Sequence, residues 1–299
     1  MKNPKKKMST NLARRDVLKL SGLTLGGLAA GHVTSGKVHA DDPTYDPTQA
    51  YTYFDELDEF TPGTPLDSNE MRITFLGSTI PPTARRVQQM MSVFVEVGDA
   101  KGKSDSFVFD CGAGVVANYG AMNIPFSKMG KVFITHLHGD HMSDLCHIYC
   151  FGPSQDRKSP LYVFSHSNST VADPTGSPAT YDDGVVAYCE NLRKAMRWHS
   201  ESFSFLSTGY QSYTRPTQES WGLPVDPVPV CDDDASDGYA LIPIELDWTK
   251  RGDVKDDNVA YNNPETGVKI THFPVIHARK GSIGFKLEWN GLSMIYTGD

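Results

Sequence analysis

In the stretch Thr135-His136-Leu137-His138-Gly139-Asp140-His141, three imidazoles and one carboxylate fall within six residues. They follow directly on Lys131-Val132-Phe133-Ile134-Thr135, whose apolar run reads as a buried strand. On extended backbone, side chains two residues apart project to the same side. His136 and His138 are therefore placed to grip one cation together. Neutral imidazole is a leading ligand for zinc and its neighbours. Gly139 lets the chain turn sharply, so Asp140 and His141 leave in another direction, suited to a second ion.

The rest of the chain supplies a scaffold. Residues 71–77, 92–97, 106–110 and 161–164 are rich in β-branched and aromatic side chains and read as strands. So do residues 239–246, 268–275, 283–289 and 292–296, the last two joined by the hairpin dipeptide Asn290-Gly291. Residues 115–120 read as a short helix, helical spacing follows His141 (Met142, Leu145, Cys146, Tyr149), and a longer helix is expected over 190–205. Strands alternating with helices predict an α/β sandwich. Residues 41–70 form an arm or linker, and 209–237 a Pro- and Asp-rich segment, both without clear period.

The pattern His-x-His-x-Asp-His after a hydrophobic strand resembles the signature of the metallo-β-lactamase superfamily. Phe75-Leu76-Gly77-Ser78, Phe109-Asp110-Cys111-Gly112, His277 followed by Gly284-Phe285, and Tyr296-Thr297-Gly298-Asp299 are similar, in order and spacing, to its ribonuclease Z and arylsulfatase-like branch. The likeness covers residues 71–165 and 268–299. It implies an αββα four-layer sandwich, incomplete at the C-terminus, in a domain over 71–299 with an insertion at about 166–267. It implies that His136, His138 and His277 bind a first zinc ion and Asp140 and His141 a second. Asp299 would bridge the two, and Asp140 would also take part in catalysis. Asp110 is either the residue that orients the ligand loop from behind or a turn residue beside Gly112. His272 rivals His277 from the same strand region, and the distance to Gly284-Phe285 favours His277. His147, His166 and His199 carry no motif.

Such a site implies hydrolysis by a metal-bound hydroxide shared between two ions about 3.5–4 Å apart. No Gly-x-Ser-x-Gly elbow and no P-loop offers another route. The family completes its second metal site with one more His beyond the bridging Asp. The chain stops at Asp299, so it is expected to be a fragment of a longer enzyme. The expected function is a zinc-dependent hydrolase acting on a small-molecule ester: a phosphodiester, sulfate ester or lactone. The alternatives are a ribonuclease Z-like phosphodiesterase acting on RNA and a truncated metal-binding protein without catalysis. A flavo-diiron oxidoreductase replaces the second signature His by Glu, and His138 speaks against it.

Charge and the N-terminus bear on partners. Eight of the 28 basic residues but one of the 36 acidic residues lie in the first forty, so the remaining body carries a net charge of −15. A body that acidic repels polyanions, which makes nucleic acid an unfavoured partner. The N-terminal Arg14-Arg15 pair, the mild apolar stretch 20–30 and Val38-His39-Ala40 look like a twin-arginine export signal cleaved after Ala40. The twin-arginine translocase would be a partner during export, and the location periplasmic or secreted. A Sec signal or an uncleaved anchor is the other reading, though the apolar stretch is too short to span a bilayer comfortably. Five cysteines are too few for a disulfide scaffold. Cys146 and Cys150 read as small buried apolar residues, and Cys189 with Cys231 as a candidate bridge. Tyr181, Trp198, Trp221 and Trp248 are candidates to roof a pocket or to pack in the core.

Overall fold

Every residue of the strand Ser92–Gly98 is buried, because it lies second in a six-stranded sheet covered on both faces. The computed structural model describes residues 63–79, 88–175, 179–203 and 238–299. The N-terminal segment expected to be a twin-arginine signal, Cys231, Trp221, the 209–237 segment and most of the expected 41–70 arm lie outside these. The chain divides into a unit over Met1–Thr61, outside the described residues, and a compact unit over Pro62–Asp299.

The six-stranded sheet runs β1 (Glu70–Gly77), β2 (Ser92–Gly98), β3 (Ser104–Phe109), β4 (Lys131–Phe133), β5 (Leu161–His166), β6 (Leu241–Leu246) in spatial order. Its first two pairings are antiparallel and the next three parallel. The second sheet is antiparallel, in the order β10 (Leu292–Tyr296), β9 (Ile283–Trp289), β8 (Val268–Pro274), β7 (Val259–Asn263). The hairpin turn between β9 and β10 has Asn290 and Gly291 both at positive φ, 47° and 77°, as its dipeptide requires.

Alternation along the strands sends one set of side chains between the sheets. Phe107, Phe109, Phe133 and Phe164 from the first meet Ile270, Phe285, Leu287 and Trp289 from the second. Phe133 stacks on Phe164 at 4.3 Å between ring centroids and meets Phe285 edge-on at 5.3 Å. Each such ring contributes about 1.5–3 kcal/mol relative to exposure. The opposite face of the first sheet carries helices: α1 (Val115–Ala121), α2 (Gly139–Met142), α3 (Leu145–Gln155) and α4 (Val185–Phe203). There Phe94 meets Tyr119 edge-on at 5.7 Å. The class is thus mixed α/β, with helices over one sheet and two sheets face to face. The outer face of the second sheet, where Ile295 is exposed, carries no helix among the described residues, so three of the four expected layers are present there.

Three expectations need adjustment. The long helix starts at Val185 rather than 190, because the β-branched pair Val185-Val186 hides the helical signal. The strand expected over 131–135 keeps its ladder only through Phe133. An unexpected strand, β7, lies with β6 inside the 166–267 region, and each forms the edge of a sheet.

Candidate metal centre

Strands β3, β4, β5, β8 and β10 all end at one edge of the sandwich, and the segments leaving them carry Asp110, His136–His141, His166, His277 and Asp299 in that order. Residues as far as 186 positions apart in sequence meet there. His136 Nε2 lies 3.0 Å from His138 Nδ1, and His277 Nε2 lies 3.2 Å from the same atom. The donor atoms of these three imidazoles fall within 4.8 Å of one another, as do those of His136, His141 and Asp299. The carboxylate of Asp299 spans the two groups, with Oδ1 at 3.3 Å from His141 Nε2 and Oδ2 at 3.7 Å from His277 Nε2. Asp140 Oδ2 is 3.1 Å from His141 Nε2, yet Asp140 stands outside both tight groups.

Asp110 is fully buried with φ of 55°, a left-handed conformation that costs a non-glycine residue about 1–3 kcal/mol. Donors from three directions hold it. The Thr135 backbone N–H donates to Oδ1 at 2.8 Å, and Oδ2 accepts from His141 Nδ1 at 2.7 Å and from the Tyr296 hydroxyl at 2.9 Å. The Thr135 hydroxyl also donates to Oδ2 at 2.9 Å and accepts from His136 Nδ1 at 3.1 Å. One carboxylate therefore fixes the tautomer of both His136 and His141, and turns each Nε2 lone pair toward the cluster. The turn-residue reading of Asp110 does not account for this placement.

Close backbone approach makes glycine necessary at two points. A Cβ on Gly112 would lie 1.9 Å from the Asp140 carbonyl oxygen. Gly298 has φ of 62°, and its Cβ would lie 2.5 Å from Thr135 Oγ1. The first lets the β3 loop pack under the ligand loop; the second delivers Asp299.

The electrostatics fit a cation. Burial, then the neighbouring His141, His138 and His277, push His136 down to about 3, so it is neutral and ready to coordinate. Burial also opposes charge on His141, but the hydrogen bond and charge of Asp110, with Asp140 and Asp299, outweigh it and raise its pKa. His141 Nε2 is buried without a hydrogen-bond partner while facing two carboxylates. A metal ion is what an orphaned nitrogen in that position accommodates, and the His and carboxylate donors suit zinc-like ions.

His272 stays apart: it is buried on β8 and its Nε2 donates to the Asp247 carbonyl at 3.0 Å. His147 stacks on Phe126 and meets Phe151 at a tilt, and His199 donates to the Cys150 carbonyl. Cys150 and Cys189 are buried, while Cys146 is half-buried with Sγ 3.3 Å from Met196 Sδ. Of the aromatics, Tyr181 lies beneath the Arg279 guanidinium, Trp248 donates to the Asn168 carbonyl, and Trp198 is 82% exposed. Sequence reasoning missed a cleft of about 430 Å³ beside the cluster, where His136 and His138 share a wall with His166, Tyr188, Arg279 and Lys280. No motif marks the last four. The one local signal is that Arg279 and Lys280 come two and three residues after His277 in the β8–β9 loop.

Here the comparisons with known proteins agree in kind. This layered α/β sandwich with its histidine cluster is the arrangement that the metallo-β-lactamase resemblance implies. No family model matches the chain. It is 33% identical to ribonuclease BN of Proteus mirabilis over 119 residues, 39% of this chain and 34% of that protein. It is 24% identical to ribonuclease Z of Mycolicibacterium gilvum over 233 residues, 77% of this chain and 61% of that protein. The matches to the first curated relatives span about a third of their length or less. Among solved structures, the short form of human tRNase Z is 19% identical, with a TM-score of 0.42 over 76% of this chain and 68% of that one. YhfI of Bacillus subtilis is 14% identical, with a TM-score of 0.44 over 77% of this chain and 63% of that one.

Proposed function

We propose that this chain is an exported, zinc-dependent hydrolase that cleaves a small phosphodiester. The observation that carries the reading is the convergence of His136, His138 and His277 on one point, with His141 and Asp299 beside it. His136, His138 and His277 would hold the first cation, His141 and Asp140 a second, and Asp299 would span both. A bound divalent cation supplies Lewis-acid polarisation of an ester oxygen and brings the pKa of a coordinated water to about 7.

The chain's own residues prepare that chemistry. Asp110 keeps Nδ1 of His141 protonated, and through Thr135 that of His136, so that both Nε2 atoms stay free to bind. Burial first, then Asp110 itself, hold the Tyr296 phenol protonated, so it remains a donor to that carboxylate. The fixed cluster orients the reacting oxygen, and the adjoining cleft holds the rest of the ester in place. The similarity to ribonucleases Z and BN supports phosphorus as the centre attacked. The net charge of the body and the acidic rim residue Asp182 support a small substrate over RNA. The names of those relatives favour the second reading, an RNA phosphodiesterase.

Turnover of bis(p-nitrophenyl) phosphate by the zinc-supplemented chain tests the proposal. Activity lost on chelation and in His138→Ala is expected. Turnover that survives both contradicts it, as does preferred cleavage of an RNA 3′ extension.

A further inference from the structure

His166 terminates β5, is 6% exposed, and lines the cleft beside the histidine cluster. Its Nδ1 donates to the Ser167 carbonyl at 2.8 Å. A donating Nδ1 leaves Nε2 of the neutral ring as a bare acceptor. Among the described residues no group bonds that atom, and the residue lines the cleft. The β8–β9 loop passes close to the ring at Gly281, where a Cβ would lie 3.2 Å from His166 Nδ1, and the hydrogen bond to Ser167 fixes the ring's orientation.

The same loop places two cations on the cleft, and they are not equivalent. Arg279 is committed: it pairs with Asp183, and its guanidinium lies 4.9 Å from the centroid of the Tyr181 ring. Asp183 is committed in turn, taking the Ser169 backbone N–H at 2.8 Å and the Ser169 hydroxyl at 2.6 Å. This chain of contacts ties the β8–β9 loop to the segment before α4. Lys280 is exposed and pairs with no carboxylate among the described residues. Among the described residues, the cleft therefore offers one unpaired ammonium and one acceptor lone pair next to the histidine cluster. Its volume of about 430 Å³ suits an organic ligand, because small-molecule pockets run about 300–1,000 Å³.

We infer that this cleft selects phosphoesters whose alcohol arm carries a free hydroxyl, with Lys280 pairing the phosphate oxygen and His166 Nε2 accepting from the hydroxyl. The inference rests on the hydrolase reading and names its substrate class. His166 is a specificity residue and Lys280 an affinity residue. A plain alkyl arm leaves the His166 lone pair, desolvated by the ligand, without a donor, and this loss is what discriminates.

The test is a pair of probes of equal carbon number, glycerol 3-phosphate and propyl phosphate, titrated calorimetrically into the zinc-supplemented chain. Glycerol 3-phosphate is expected to bind about five- to tenfold more tightly, the worth of one hydrogen bond. His166→Ala should abolish the difference and leave propyl phosphate within twofold of wild type. His166→Gln, whose amide oxygen can replace Nε2, should restore most of it and serves if the alanine variant folds poorly. Lys280→Ala should weaken both probes about equally. Equal binding of the two probes by wild type overturns the inference, as does an equal loss of both in His166→Ala. Discrimination without turnover of bis(p-nitrophenyl) phosphate would keep the cleft and refute the hydrolase; turnover without discrimination would do the reverse.

Discussion

His141 donates its Nδ1 proton to Asp110 across 2.7 Å, with both side chains fully shielded from solvent. The bond decides which nitrogen of His141 is left to face Asp299, and it is made by a residue that touches none of the other ligand nitrogens directly. Replacing Asp110 by Asn would keep the shape and break the logic. Every group converging on this carboxylate is a donor, so an amide would turn its own NH₂ toward one of them. Asp110→Asn should lower zinc affinity about 10–100-fold and destabilise the metal-free fold by about 1–3 kcal/mol. Competition with a chromogenic chelator and urea unfolding measure the two effects. An unchanged affinity would show that Asp110 is only a turn residue.

Gly298 carries no ligand atom, yet its backbone sets the position of Asp299. Alanine there must adopt a φ of 62° and meet the Thr135 side chain at 2.5 Å. Gly298→Ala should cost about 1–2 kcal/mol and weaken zinc binding about tenfold by displacing Asp299. Gly291→Ala is the control, since that glycine has φ of 77° with open space around it. It should show comparable strain and wild-type zinc affinity. Equal affinities in both variants would separate Asp299 from the site.

His272 supplies a pH dependence away from the cluster. Burial lowers its pKa, against the raising effects of Asp247 and Asp257. Protonation would add a proton at Nδ1, which is buried without a partner. A histidine whose folded pKa is depressed contributes stability above its ordinary value of about 6.5, and that contribution is lost as pH falls. The metal-free chain should therefore lose thermal stability between about pH 7 and 5, and His272→Gln should flatten that slope. Identical slopes in the two proteins would contradict the assignment.

Much of this was legible in the residues, and the rest failed for identifiable reasons. The short-range signals held: Asn290-Gly291 made its hairpin, and the apolar runs at β2, β5 and β9 became strands. His277 reached the cluster from 139 positions beyond His138, as the spacing to Gly284-Phe285 implied. β7 was invisible because Val259-Ala260-Tyr261-Asn262-Asn263 is half-buried, has an irregular register and ends in two asparagines. The roles of Asp110 and His166 depend on which donors and carbonyls surround them. Those neighbours come from segments far apart in sequence, so no local pattern records them.

The central claim is that His136, His138 and His277 hold one metal ion together. Anomalous diffraction at the zinc edge, from crystals of the zinc-supplemented chain, tests it most directly. The account predicts a peak about 2.0–2.1 Å from a ring nitrogen of each of the three histidines, absent in His138→Ala. A zinc peak elsewhere, with these three rings uncoordinated, would contradict it.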